Sequence, residues 1–221
     1  MMMMAVQSAW SQTYTGGYVA LTAVDGMLSY GQSEPGGKET YDKLVDRNIN
    51  TKWGGWFDAS LSDDDSWPIN TKNSANKMWI IVKAESPVTP EYYFLVTAND
   101  TGSNSGRNWA SWKIFGGNFE ADADAVRGDL DDPGATGWTL LDDKEDEPLP
   151  AANFTPTTLE FDYVGTESFQ YFWIEITKSR MPSWWTGKST PSGAAGSMLA
   201  SATMIHGPST PQTLPTKCGS S

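Results

Sequence analysis

The chain has 221 residues, of which 38% are hydrophobic and 12% aromatic, and its formal net charge at pH 7 is −12. This length and apolar content suit one domain with its own core and exclude a disordered chain. The negative charge argues against nucleic acid and anionic membrane surfaces as partners, because binding to phosphate groups requires a basic patch. No apolar stretch of the sequence is long enough for membrane insertion.

Short strand-like runs, separated by turn residues, predict a sandwich or barrel of β-strands through most of the chain. Residues 1–17 are polar and weakly patterned, which predicts a flexible N-terminal arm. Residues 208–221 are rich in Pro, Ser and Thr, which is typical of a linker or tail. We therefore predict one domain over residues 18–207.

The strand predictions rest on period-two alternation and on β-branched or aromatic content. In the clearest case, Phe172, Ile174 and Ile176 face one side of a strand, and Trp173 and Glu175 face the other. Similar runs occur at residues 79–82, 91–97, 112–115 and 158–161. Tryptophans at strand or motif positions are predicted to lie in the core, namely Trp53, Trp79 and Trp112.

Two further patterns concern the surface. The chain has eleven tryptophans, more than a core of this size usually needs, so some of them are expected to be exposed. The acidic segments 120–132 and 142–147 are predicted to be solvated loops.

The first motif with chemical content lies at residues 46–53. Asp46 is followed two residues later by Asn48 and three further on by Thr51, and Trp53 comes after them. Oxygen donors at this spacing are able to wrap one hard cation, and Ca²⁺ takes six to eight such ligands in flexible geometry. Trp53 would pin the loop to the core. In the alternative interpretation, Asp46 and Thr51 only cap a turn through hydrogen bonds to the backbone.

The second motif begins at Thr97-Ala98-Asn99-Asp100, where a strand ends, and continues through residues 106–112. It combines a polar, glycine-containing loop with an aromatic residue. Further motifs follow in order at residues 138–141, 149–155 and 171–177, and a closing strand is predicted over residues 198–206.

In the order and spacing of these motifs, the chain resembles the discoidin-like, or coagulation factor 5/8 type C, domains. It is most similar to the family 32 carbohydrate-binding modules of secreted bacterial proteins. The resemblance covers residues 18–207 and departs from the usual pattern at Arg47, which replaces a glycine, and at Trp109, which replaces a proline. It implies an all-β fold, a jelly-roll β-sandwich of the galactose-binding type.

The resemblance also implies a structural calcium ion that ties the first loop to the last strand. Its ligands would be Asp46, Asn48, both oxygens of Thr51 and the backbone carbonyls of Lys43 and Ala200. Ser201 stands where the family has a glutamate. The loss of that carboxylate is expected to weaken the site, because calcium affinity follows ligand charge.

A glycan is the ligand that the resemblance implies. A pyranose ring needs an exposed aromatic for its C–H face and planar hydrogen-bonding side chains for neighbouring hydroxyls. Arg107 has two possible roles: it contacts sugar hydroxyls, or it supports the loop through an ion pair with Asp100. The predicted contact residues are Trp56, Asn99, Asp100, Asn104, Arg107, Trp109, Trp184 and Trp185.

Catalysis is not expected. The only histidine is His206, so a catalytic triad has one base to draw on and a zinc site rich in histidine cannot be built. We therefore expect a non-catalytic carbohydrate-binding module, secreted or at the cell surface and belonging to a larger multimodular protein. The alternatives are an adhesion or protein-binding module of the same fold, and a spacer domain with no ligand.

Overall fold

A computed structural model describes residues 18–26, 40–57, 78–120, 133–180 and 196–206. The predicted arm and tail lie outside these residues. The described residues form two five-stranded sheets. Their strands are β1 (Tyr18–Val19), β2 (Leu21–Gly26), β3 (Trp53–Phe57), β4 (Met78–Val88), β5 (Tyr92–Val96), β6 (Trp109–Gly117), β7 (Thr139–Lys144), β8 (Pro156–Glu160), β9 (Phe169–Ser179) and β10 (Gly196–His206).

The first sheet has the order β1-β10-β5-β8, with β3 also paired to β10, and the second has the order β2-β4-β9-β6-β7. Every pairing in the described part is antiparallel. Helical structure in the same residues is confined to single turns, which include α1 (Thr101–Asn104) and the 3₁₀ turns Tyr41–Leu44 and Ser105–Arg107. None of the described helices is long and apolar enough to cross a membrane. The predicted β-sandwich is confirmed.

The core between the sheets takes apolar residues from both of them, such as Tyr93 and Leu95 of β5 and Ile80 and Val82 of β4. On β9 the predicted alternation is confirmed, because Phe172, Ile174 and Ile176 belong to this core. Trp173 belongs to a second cluster, on the opposite face of the sheet. We call this second cluster the outer cluster; its members are Ile81, Phe115, Trp138, Tyr171 and Trp173.

Six tryptophan side chains fall in the described part, and none of them is exposed. Trp53 and Trp112 lie in the core, as predicted, and Trp79 is half-buried against the outer cluster. Trp138 and Trp173 are also buried, with ring centroids 5.6 Å apart in an edge-to-face arrangement. The sixth, Trp109, belongs to the candidate site described below. The exposed tryptophans that the composition predicts are therefore not among these six.

The prediction of a solvated loop at residues 142–147 is wrong for its first half. Residues 139–144 form strand β7, and Asp142 is 1% exposed. Leu141 beside it is buried as well, and the pairing of β7 with β6 shifts register at these residues, as at a β-bulge. Its Oδ2 accepts a hydrogen bond from the Tyr93 hydroxyl at 2.5 Å, and Trp112 Nε1 donates to that hydroxyl oxygen at 2.8 Å. Lys144 Nζ lies 2.6 Å from Asp142 Oδ1. The other acidic segment, residues 120–132, lies outside the described residues except for Glu120.

This buried network joins the two sheets, because Tyr93 lies in one and Trp112 and Asp142 lie in the other. Burial raises the pKa of the Asp142 carboxyl, and the hydrogen bonds from Lys144 and Tyr93 oppose that rise. Burial, followed by the charge of Asp142, also raises the pKa of the Tyr93 hydroxyl. The buried Asp142 carboxylate is thus bound by Tyr93 of the other sheet, by Lys144 of its own strand and by the backbone N–H of Asp162, which donates to Oδ1 at 3.2 Å.

Candidate functional site

The loop between the first 3₁₀ turn and β3, residues 45–52, contains a residue with left-handed backbone conformation. Arg47, at the position where the family pattern has a glycine, has a φ of 58°. This is the left-handed region, which glycine adopts freely and which costs other residues roughly 1–2 kcal/mol. The glycine of the pattern is thus explained by backbone geometry, and this chain adopts the same turn at an energetic cost.

The predicted oxygen donors converge in this loop. The Thr51 hydroxyl lies 2.8 Å from each carboxylate oxygen of Asp46 and 2.8 Å from the carbonyl oxygen of Asn48. The backbone N–H of Asn48 donates to Asp46 Oδ1 at 2.9 Å. These contacts are those of a capped turn, and they also gather the carboxylate, carbonyl and hydroxyl oxygens that a calcium ion prefers.

The surroundings of the loop both help and hinder a cation. Ala200 of β10 is the register partner of Trp53, so the last strand runs beside the end of the loop, as the prediction requires. The Lys43 ammonium, however, lies 3.9 Å from Asp46 Oδ2 and 2.9 Å from Asp42. Among the described residues, no three side chains of Asp, Glu, His or Cys gather in a way that could hold a metal ion. The donor set therefore consists of one carboxylate and neutral oxygens.

The second motif folds into a compact polar loop between β5 and β6, made of α1 and the 3₁₀ turn Ser105–Arg107. Asn99 is exposed, whereas Asp100, Asn104 and Arg107 are half-buried. Asn104 Nδ2 donates to the Asp100 carbonyl at 3.3 Å. Arg107 Nη1 lies 3.9 Å from Asp100 Oδ2. The structure thus brings these four predicted contact residues together on one loop.

The two loops meet through Lys52, which sequence reasoning missed. Its ammonium lies 2.8 Å from Asp100 Oδ2, although the two residues are 48 positions apart. Lys52 directly follows Thr51 of the candidate cation loop. One residue therefore connects the candidate cation loop with the polar loop.

Asn153 is a second missed residue, and it fixes the shape of the polar loop. Its Nδ2 donates to the Asn99 carbonyl at 2.6 Å, and its Oδ1 accepts from the Gly102 N–H at 2.5 Å. The Thr97 hydroxyl holds the same neighbouring segment, since it donates to the Ala152 carbonyl at 2.5 Å and accepts from the Thr155 N–H at 2.8 Å. The only sequence signal for these roles is that Thr97 and Asn153 both occur within the ordered motifs.

The prediction that Trp109 contacts a ligand is wrong. Its side chain is 1% exposed and packs edge-on against Trp53 and Trp112, with ring centroids 6.0 and 5.7 Å away. A ring that is enclosed on all sides offers no face for stacking on a sugar. Trp109 is the first residue of strand β6 and not the last residue of the loop. Its side chain therefore packs in the core, although the motif predicts it at the surface.

The remaining aromatic candidates stay predictions. Trp56 lies in β3, where its backbone pairs with Ser197 of β10. Trp184 and Trp185 lie outside the described residues.

No protein-family model matches the sequence, and no curated protein is similar to it. Solved structures do match. The CBM32-1 and CBM32-2 domains of Clostridium perfringens ZmpB, in complex with GalNAc, match with a TM-score of 0.52 and 11% identity, over 92% of this chain and 38% of that one. A fragment of a Bacteroides thetaiotaomicron protein matches with a TM-score of 0.53 and 9% identity, over 90% of this chain and 98% of that one. The chain has the fold of the family 32 modules.

The predicted resemblance is therefore confirmed at the level of the fold. A family 32 module of Streptococcus pneumoniae EndoD and an F5/8 type C domain from Bacteroides fragilis also match, with TM-scores of 0.49 and 0.47 and identities of 11% and 15%, over 86% and 87% of this chain and 99% and 93% of those. The same fold occurs in XRCC1 bound to the DNA pol beta catalytic domain, with a TM-score of 0.50 and 9% identity, over 87% of this chain and 100% of that one.

Proposed function

We propose that the protein is a non-catalytic carbohydrate-binding module that recognises the ends of glycans. The observation that carries the proposal is the polar loop, which gathers Asn99, Asp100, Asn104 and Arg107 at exposed or half-buried positions. This loop belongs to a fold in which one matched structure is a complex with GalNAc.

The residues of the loop suit sugar hydroxyls for chemical reasons. The carboxylate of Asp100 accepts hydrogen bonds, the amides of Asn99 and Asn104 both donate and accept, and the guanidinium of Arg107 donates in a planar fork. Adjacent hydroxyls of a pyranose are able to use two such groups at once. The stacking aromatic is proposed to come from Trp56, Trp184 or Trp185, because Trp109 is buried. The module would bind its ligand without catalysing a reaction, as part of a secreted or cell-surface protein with further domains.

A glycan array, run with and without a calcium chelator, is the experiment that tests this proposal. We expect binding to glycans that end in galactose or N-acetylgalactosamine. The affinity of one such shallow site is expected to be weak and to rise when sites are repeated. A blank array from a folded sample would contradict the proposal. It would favour the second candidate, protein binding, since XRCC1 of the same fold is bound to a protein in its structure.

We also propose that the candidate cation loop holds a structural Ca²⁺. Asp46, Asn48 and Thr51, with the carbonyls of Lys43 and Ala200, would hold the ion. The convergence of the first three supports this, and the ion would add a rigid tie between the loop and the last strand. The Lys43 ammonium near Asp46 lowers the expected affinity, because it competes for the same carboxylate.

Chelation is expected to lower the melting temperature if Ca²⁺ is bound. A ligand that binds only the folded state at 100 times its Kd stabilises that state by about 2.7 kcal/mol. The measurement is thermal unfolding with excess Ca²⁺ and with a chelator, for the natural chain and for Asp46→Asn. The variant should lose the response to calcium. A melting curve that calcium does not move in either protein would leave the loop as a capped turn only.

A further inference from the structure

Two cationic side chains share one carboxylate oxygen at the centre of the polar loop. Lys52 Nζ lies 2.8 Å from Asp100 Oδ2, which is a charge-assisted hydrogen bond. Arg107 Nη1 lies 3.9 Å from the same oxygen, which is too far for a hydrogen bond. Lys52 therefore holds the near position on Asp100, and Arg107 is kept at the far one.

The burial of the three side chains agrees with this division of roles. The Lys52 side chain is only 14% exposed, whereas those of Asp100 and Arg107 are 32% and 35% exposed. The ammonium is thus enclosed at the base of the loop, and Asp100 Oδ1 is buried without a hydrogen-bond partner among the described residues. The Arg107 side chain is the most exposed of the three. A ligand approaching the loop would therefore contact Arg107 before Lys52.

We propose that Lys52 is a positioning residue, which occupies Asp100 and so leaves the Arg107 guanidinium available for ligand hydroxyls. This inference rests on the proposed function, since it names the residue that keeps the polar loop in the conformation that binds a glycan. Without the ammonium, Arg107 would be the nearest cation to the half-buried Asp100 carboxylate among the residues that the structure describes. It would close on Asp100 in the bidentate geometry that guanidinium and carboxylate favour, and its donors would be consumed.

The position of Lys52 in the chain also links this positioning role to the candidate cation loop. Thr51, the preceding residue, is held by Asp46 and by the Asn48 carbonyl. Its backbone N–H also donates to the Asn48 carbonyl, at 3.0 Å. The loop therefore fixes the backbone that precedes Lys52. This restricts the positions that the Lys52 ammonium can reach and favours its contact with Asp100.

Lys52→Met tests the proposal, because methionine keeps most of the side-chain volume and removes the charge. Lys52→Arg is the conservative variant, which keeps a cation on Asp100. We expect Lys52→Met to weaken galactose binding about tenfold and Lys52→Arg to restore it to within about threefold of the natural chain. Lys113→Met is the matched control. Lys113 pairs with Asp143 at 2.9 Å, on strands β6 and β7, and its loss should leave galactose affinity unchanged.

If Lys52 only stabilised the loop, Lys52→Met and Arg107→Lys would lower galactose affinity independently. The double variant therefore distinguishes a stabilising role of Lys52 from a positioning role. If Arg107 is already captured in Lys52→Met, the double variant should bind galactose no more weakly than Lys52→Met alone. Additive losses, or unchanged affinity in Lys52→Met, would overturn the proposal. If Lys52→Met does not fold, Lys52→Gln replaces it in the same comparisons.

A measurement without ligand separates this inference from the proposed function. The Nε–Hε signal of Arg107 in a ¹⁵N NMR spectrum reports whether its guanidinium is bound to a carboxylate. We expect this signal to shift and its hydrogen exchange to slow in Lys52→Met, and to revert when Asp100→Asn is added. An unchanged Arg107 signal would overturn the inference. A protein that shows the expected shift but binds no sugar would contradict the proposed function alone.

Discussion

Replacement of Asp142 by alanine is expected to lower the free energy of unfolding by about 3–5 kcal/mol. The Asp142 side chain is fully buried, with Lys144 Nζ 2.6 Å and the Tyr93 hydroxyl 2.5 Å away. Its removal leaves the Tyr93 hydroxyl without an acceptor and leaves the Lys144 ammonium with only the exposed Asp162 carboxylate, 2.9 Å away. Buried polar groups that lose their partner incur the full cost of desolvation. The measurement is chemical denaturation of the natural chain and the variant.

The adjacent residue provides the control. Asp143 lies on the same strand with its side chain on the other face, 2.9 Å from Lys113, and the side chains of this pair are 37% and 38% exposed. Exposed pairs of this kind contribute roughly 0–1 kcal/mol, so Asp143→Ala should change stability little. Equal losses for the two variants would show that the network at Asp142 does not join the sheets energetically. Asp142→Asn, which keeps an acceptor but removes the charge, should fall between the two.

The sequence predicts the sandwich well where a strand buries one face more completely than the other, as β5 and β8 do. In β9, the alternation of Phe172, Ile174 and Ile176 assigns the inner face correctly. The outer face is predicted less well, since Trp173 and Glu175 are buried too. A strand buried on both faces loses the contrast between apolar and polar positions on which period-two reasoning depends.

The errors have a common physical cause, which is tertiary contact between residues far apart in the chain. Asp142 belongs to an acidic run that reads as a loop, yet Tyr93, 49 positions away, supplies its buried hydrogen bond. Trp109 follows a polar loop, yet Trp53 packs against it from another strand. Asn153 and Lys52 hold the polar loop through contacts 51 and 48 positions apart. No local spacing contains such information, whereas the convergence of Asp46, Asn48 and Thr51 is local and was predictable.

Simultaneous replacement of Trp184 and Trp185 by alanine is expected to weaken glycan binding at least about 30-fold, which corresponds to the loss of an anchoring aromatic worth about 2 kcal/mol. The two residues are adjacent in a segment rich in Pro, Gly and Ser, a composition that predicts a loop. Loops lie at the surface and carry a large share of binding residues. The six tryptophans with described side chains are all buried or half-buried, so the proposed stacking partner is sought among the other tryptophans.

The same experiment distinguishes a binding role for the two tryptophans from a packing role. If Trp184 and Trp185 contact the glycan, the double variant should keep the melting temperature of the natural chain and lose affinity in a galactose titration. Trp138→Phe is the control with the opposite expectation, because Trp138 packs in the outer cluster against Trp173, with ring centroids 5.6 Å apart. That variant should melt at a lower temperature and bind galactose as the natural chain does. A double variant that binds normally would remove both tryptophans from the site and leave Trp56 as the stacking candidate. One that melts early would assign them to the core.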